Sequence, residues 1–119
     1  MSADSYMDMA LEEARAAARR GEVPVGAVLV DADSGEVLAR AGNLTEEMND
    51  PTAHAEILVI RAAAGAKGEP RLPNCDLYVT LEPCPMCATA ISFARLRRVY
   101  FGAYDPKGGG VDHGPRVFE

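Results

Sequence analysis

Leu77-Tyr78-Val79-Thr80-Leu81 runs straight into Glu82-Pro83-Cys84-Pro85-Met86-Cys87, and no other segment constrains the chain as strongly. The stretch Asp76 to Leu81 has strand composition. Proline cannot continue a central strand, whereas in the first turn of a helix it gives up only an N–H that has no intrahelical partner. The strand therefore ends near Leu81, and Glu82-Pro83 opens a helix that runs to about Ala94. Cys84 and Cys87 then share one helical face. They lie at the end where unpaired backbone N–H groups and a partial positive charge stabilise thiolates.

A similar signature stands earlier. Asp50-Pro51 predicts a helix from about Pro51 to Ala64, stopped by Gly65, with His54 in its first turn or so. Met7, Ala10, Leu11, Ala14, Ala17 and Ala18 recur at helical spacing and predict an amphipathic helix, capped by Ser5 and ended by Gly21. Val23 to Val30 and Glu36 to Ala41 predict a strand hairpin, and Arg98 to Ala103 a further strand. Residues 66–74 and 105–119, the latter holding Gly108-Gly109-Gly110, predict loops. This order of helices and strands implies an α/β domain with a mixed sheet and helices on both faces.

A chain of 119 residues, 48% apolar and 25% charged, fits one globular domain with a core. No apolar run approaches the roughly 18 residues of a membrane span. Asp4, Asp8, Glu12 and Glu13 near the start suit neither a secretory signal nor a transit peptide, so the chain reads as cytoplasmic. In that compartment a Cys-x-x-Cys pair points to metal or redox chemistry. The net charge of −6 argues against a uniformly basic nucleic-acid surface. Residues 1–60, however, carry 4 basic and 12 acidic side chains (net −8), and residues 61–119 carry 8 and 6 (net +2), so a polyanion would meet the second half.

His54, Cys84 and Cys87 are the best zinc ligands in the chain. Three protein ligands leave the fourth tetrahedral position for water, as in a catalytic zinc; a structural site fills all four. Cys75 lies about 20 Å away along an extended strand and reads as a buried or edge thiol. His113 reads as a solvated loop residue. Glu56, two residues past His54, points roughly 200° away around the helix and does not chelate beside it. At the helix mouth it leans over the bound water, where a general acid/base belongs. A redox pair needs no partner histidine. A zinc-bearing binding module without turnover would give Glu56 nothing to do.

His54-Ala55-Glu56 with Pro83-Cys84-Pro85-Met86-Cys87 resembles the His-x-Glu and Pro-Cys-x-x-Cys signature of the zinc-dependent cytidine and nucleotide deaminases. Glu22 to Val28, Asn43, Asp50 to Ile57, Leu77 to Cys84, and Phe101-Gly102-Ala103 with Asp105 and Lys107 are similar to the tRNA-specific adenosine deaminase branch of that superfamily. The resemblance implies one zinc per chain on His54, Cys84 and Cys87, with Glu56 shuttling protons. It implies that Asn43, the backbone of Ala55, Asp105 and Lys107 contact a flipped-out nucleotide and its neighbours. It further implies conversion of a wobble adenosine to inosine, and a homodimer whose two subunits touch the tRNA anticodon loop.

The fold it implies is a cytidine deaminase-like three-layer α/β/α sandwich. Residues 1–119 would form a single deaminase domain, with the family's C-terminal helix missing. Arg95, Arg97, Arg98, Lys107 and Arg116 are expected around the third helix and the loop flanking the site, with Lys107 as the direct phosphate contact. Pro85 gives the form common in bacterial guanine deaminases. A guanine or other free purine or nucleoside deaminase with the same zinc site is therefore the alternative.

Overall fold

A computed structural model describes residues 2–119. Its elements are α1 (Ala3–Arg19), β1 (Gly26–Asp31), β2 (Val37–Gly42), α2 (Ala55–Lys67), β3 (Cys75–Val79), α3 (Pro85–Ala94) and β4 (Arg98–Phe101). The strands form one sheet in the order β2-β1-β3-β4. β1 runs antiparallel to both neighbours and β3 parallel to β4, so the sheet is mixed as expected.

Period-two alternation explains the layers. Ala27 and Leu29 of β1 and Leu77 and Val79 of β3 point to one face, where they pack with Val59 and Ala63 of α2 and Ile91 of α3. Val28, Val30 and Tyr78 point to the other, beneath Tyr6 and Ala10 of α1. Both faces are thus covered, and the central strands read as continuous apolar runs. The result is the expected three-layer α/β/α sandwich.

Four helix boundaries depart from the sequence reading. Ser2, not Ser5, caps α1: its Oγ accepts the Ser5 N–H at 3.3 Å. α2 begins at Ala55, because Asp50 Oδ1 accepts both the Thr52 N–H at 2.9 Å and the Thr52 hydroxyl at 2.7 Å. That turn competes with helix and leaves His54 extended (φ −76, ψ 151) as the N-cap. Gly65 stays within α2, and the left-handed stop is Gly68 (φ 68). In α3, Cys84 is the N-cap and Pro85 holds the first helical position.

α1 lies so close to the hairpin that only glycine fits beneath it. A Cβ on Gly26 would overlap Ala10 O and sit 2.5 Å from Ala14 N; one on Gly42 would sit 2.6 Å from Glu13 O. These neighbours are helix backbone, which cannot swing aside as a side chain can. We expect Gly26→Ala to destabilise the fold by at least the ~1–3 kcal/mol typical of overpacking, read as a lower urea midpoint at unchanged m-value.

Candidate active site

The N-termini of α2 and α3, the C-terminal ends of β3 and β4 and the start of β1 meet at one end of the sheet, since β1 opposes β3 with Ala27 facing Val79. Crevices beyond the carboxyl ends of parallel strands are where open α/β sheets commonly bind ligands. Here a cleft of about 210 Å³ is lined by Asn43, Thr45, His54, Glu56, Cys84 and Asp105, among others.

Two of the donors singled out in the sequence occupy matching places: His54 and Cys84 are the N-caps of α2 and α3, and neither side chain makes a capping hydrogen bond. Cys87 lies one turn into α3 and is fully buried. The Cys84 and Cys87 sulfurs lie 3.7 and 3.5 Å from His54 Nδ1. Bond lengths to a tetrahedral zinc predict nitrogen–sulfur separations of about 3.6 Å. All three donor atoms lie within 4.8 Å of one another, and the residues present therefore fit a zinc ion.

The helix N-terminus also tunes the thiols. The Cys87 thiol, together with the backbone N–H groups of Cys87 and Met86, holds Cys84 down at about 5 against the pull of burial. Cys87, whose thiol is hydrogen-bonded to the Cys84 sulfur and buried beside Glu56, is pushed up. Cys75 begins β3 at the opposite end of the sheet, where burial raises its thiol, and takes no part in the cluster.

Glu56 is 3% exposed, and among the described residues its Oε1 is the buried side-chain polar atom without a hydrogen-bond partner. Burial raises its proton affinity, with the Cys84 charge adding to the effect. An orphaned carboxylate oxygen beside three donors suits proton transfer and serves no structural bond.

Asn43 Oδ1 accepts the Ala55 N–H at 2.8 Å and so satisfies the first turn of α2. Asn43 also lines the cleft. Ala55, whose backbone is expected at the nucleotide, thus has its N–H engaged within the protein. Asp105 Oδ1 accepts the N–H groups of Lys107 at 3.2 Å and Gly108 at 2.9 Å, while Lys107 is exposed.

The arginines do not gather where expected. α3, with 10 residues, is about 15 Å long, so Arg95 and Arg98 lie at the end away from Cys84. Arg97 is held by both oxygens of Asp76 (2.9 and 2.6 Å) and Arg116 pairs with Glu119.

Sequence reasoning missed two buried glutamates. Glu22 accepts the N–H groups of Glu46 and Glu47 at 3.0 and 2.9 Å and anchors the loop that carries Thr45. Glu82 does not cap α3. Its Oε1 accepts the Asp105 N–H at 3.1 Å, and its Oε2 accepts those of Val111, Asp112 and His113 at 3.2, 3.0 and 3.0 Å. His113 Nδ1, 2.7 Å from Oε1, is a partner of this carboxylate, which corrects its reading as solvated loop. The one available signal was the glycine run, which a close approach to Glu82 requires.

Burial pushes the Glu82 carboxyl up, but the Asp105 N–H, His113 and the Asp112 N–H outweigh it and hold the group at about 2. Since its folded value lies below the ordinary 4.5, its contribution to stability is present above that pH and is lost as pH falls toward 2. The stability gap between wild type and Glu82→Gln should accordingly be widest above about pH 5 and narrow on acidification, in urea titrations at stepped pH.

Residues 1–103 match the family model described as cytidine and deoxycytidylate deaminase zinc-binding region. The tRNA-specific adenosine deaminase of Agrobacterium fabrum is 65% identical over 113 residues, 95% of this chain and 73% of that protein. A solved structure from studies of A-to-I editing by tRNA:A34 deaminases superposes with a TM-score of 0.93 at 63% identity, covering 97% of this chain and 82% of the other. The guanine deaminase of Bacillus subtilis gives 0.83 at 38% identity, covering 87% and 66%. No helix among the described residues is long and apolar enough to cross a membrane.

Proposed function

This chain belongs to the cytidine and deoxycytidylate deaminase family, and we propose that it hydrolytically deaminates the wobble adenosine of a tRNA anticodon loop to inosine, releasing ammonia. The carrying observation is the unpartnered, buried Glu56 Oε1 in one cleft with His54 and Cys84, whose donor atoms cluster with the buried Cys87 sulfur. High identity to a tRNA-specific relative, against lower identity to a guanine deaminase, favours the tRNA substrate.

His54 Nδ1 and the sulfurs of Cys84 and Cys87 would hold one zinc. Once bound, the ion supplies a Lewis acid that lowers the pKa of water in its open position to about 7. Glu56 takes the first proton that the attacking water loses and delivers it to N1 of the adenine as hydroxide adds at C6; the remaining hydroxyl proton then passes by way of Glu56 to N6, so that the C6–N6 bond breaks with loss of ammonia and a C6 carbonyl is left. The buried setting of Glu56 lets its carboxyl keep each proton between uptake and delivery. The Asn43 NH₂ donates to an acceptor on the nucleotide, its orientation fixed by the Oδ1 bond to Ala55 N–H. Asp105 borders the base, and the backbone of Ala55 contacts the nucleotide. Exposed Lys107 meets a neighbouring phosphate.

Residues 1–119 act as one deaminase domain in the cytoplasm. The protein works as a homodimer. An apolar face of α2 and α3 supports pairing: Phe93 is 75% exposed there beside Ile57, Ile60 and Ala90.

Glu56→Ala should retain about one zinc per chain and a cooperative unfolding transition while losing about 10²–10⁴ in turnover. Replacing Cys84 and Cys87 together by alanine should abolish zinc binding. Elemental analysis beside single-turnover kinetics separates the two effects.

The substrate assignment is tested by ammonia release from an anticodon stem-loop and from free adenosine, cytidine and guanine. The stem-loop should react far faster, with an advantage that falls as salt rises, by a log–log slope of about −0.7 per phosphate contact. Guanine turnover with an inert stem-loop would replace this reading by the guanine deaminase one.

A further inference from the structure

We propose that Glu82 is a positioning residue for substrate binding: its buried carboxylate ties the 105–113 loop, and with it Asp105, to the segment that carries Cys84. The proposal rests on the deaminase reading above. Asp105 borders the cleft, yet its own Oδ1 is occupied by the turn at Lys107 and Gly108. Its placement therefore depends on backbone attachments. One is the bond from Asp105 N–H to Glu82 Oε1, and a second holds the Gly110 N–H on Pro83 O at 2.8 Å.

The two Glu82 oxygens divide their tasks. Oε2 gathers the consecutive N–H groups of Val111, Asp112 and His113; Oε1 takes Asp105 N–H and faces the His113 ring. Only an ionised carboxylate can accept on both sides, since a glutamine would turn an NH₂ toward one of them. Packing reinforces the bonds. A Cβ at Gly109 would overlap Glu82 Oε2 and lie 2.6 Å from Asp105 O, while one at Gly110 would lie 2.6 Å from Pro85 N and 2.9 Å from Cys84 C. The loop thus rests directly on the backbone around one zinc donor, with no room for a side chain between them.

Glu82→Gln is the selective probe. Its carbonyl oxygen can keep the three N–H groups at 111–113, which leaves its NH₂ opposite the Asp105 N–H, donor to donor. In zinc-loaded protein we expect the Asp105 amide to exchange at least about tenfold faster, with 111–113 changed less. KM for the stem-loop should rise about tenfold, as losing a charge-assisted hydrogen bond warrants, while kcat per bound zinc stays within about twofold. A merely structural role would lower zinc content and kcat at unchanged KM, and that outcome overturns the proposal, as does unchanged Asp105 exchange. Gly109→Ala drives a Cβ against Glu82 Oε2 and Asp105 O and so displaces the loop while residue 82 stays a carboxylate. It should reproduce the raised KM with zinc retained, and it carries the test if Glu82→Gln fails to fold. The exchange measurement needs no turnover. Wild type that ignores the stem-loop refutes the substrate reading, while the Asp105 amide still decides whether Glu82 holds the loop.

Discussion

Helix N-caps ordinarily carry Ser, Thr, Asp or Asn, whose side chains satisfy the first free N–H groups, and losing such a cap costs about 1 kcal/mol. α2 and α3 carry His54 and Cys84 there instead, with no capping bond from either. The site depends on this substitution. Both helices begin beyond the same end of the sheet, so two uncapped termini point their unpaired N–H groups and their donors into one cleft. Asn43 satisfies one of those N–H groups, on Ala55, and the helix-end N–H groups around Cys84 favour its thiolate. What a conventional cap would have stabilised locally is thereby left to interactions across the cleft.

The buried glutamates at this end of the molecule have different fates, and the difference separates support from chemistry. Glu22 and Glu82 are saturated by backbone N–H groups from two flanking loops, and both carboxyls are held below their ordinary value. Glu56 is as well buried, but one oxygen has no partner, and burial raises its proton affinity. A carboxylate gripping several amides has little capacity left to exchange a proton, whereas one with a free oxygen in a dry setting can do so.

The clustering of His54, Cys84 and Cys87 beside Glu56 was legible because these residues lie in two short motifs whose spacing and prolines fix their local geometry. The layer order was legible from the apolar runs of β1 and β3. Where α2 starts was not, because Asp50 and Thr52 engage each other before the helix can form. The partners of Glu82 were hidden for another reason: apart from the His113 ring they are backbone N–H groups 23 to 31 residues later in the chain, and every non-proline residue presents the same donor. The arginines of the Arg95 to Arg98 stretch failed the expectation because the whole length of α3 separates them from Cys84.

The close seating of α1 on the hairpin has a mechanical consequence. With Gly26 and Gly42 bringing helix backbone against strand backbone, and the Tyr6 hydroxyl donating to Gly35 O at 2.7 Å, the N-terminal half offers no sliding surface. Segments that open at low free energy are those with few buried apolar contacts and exposed backbone. Around the cleft this leaves the stretches between β2 and α2 and after β4. Any yielding needed to admit a large polymer should fall to these two margins, each moored by one carboxylate, while the frame behind them acts as an anvil.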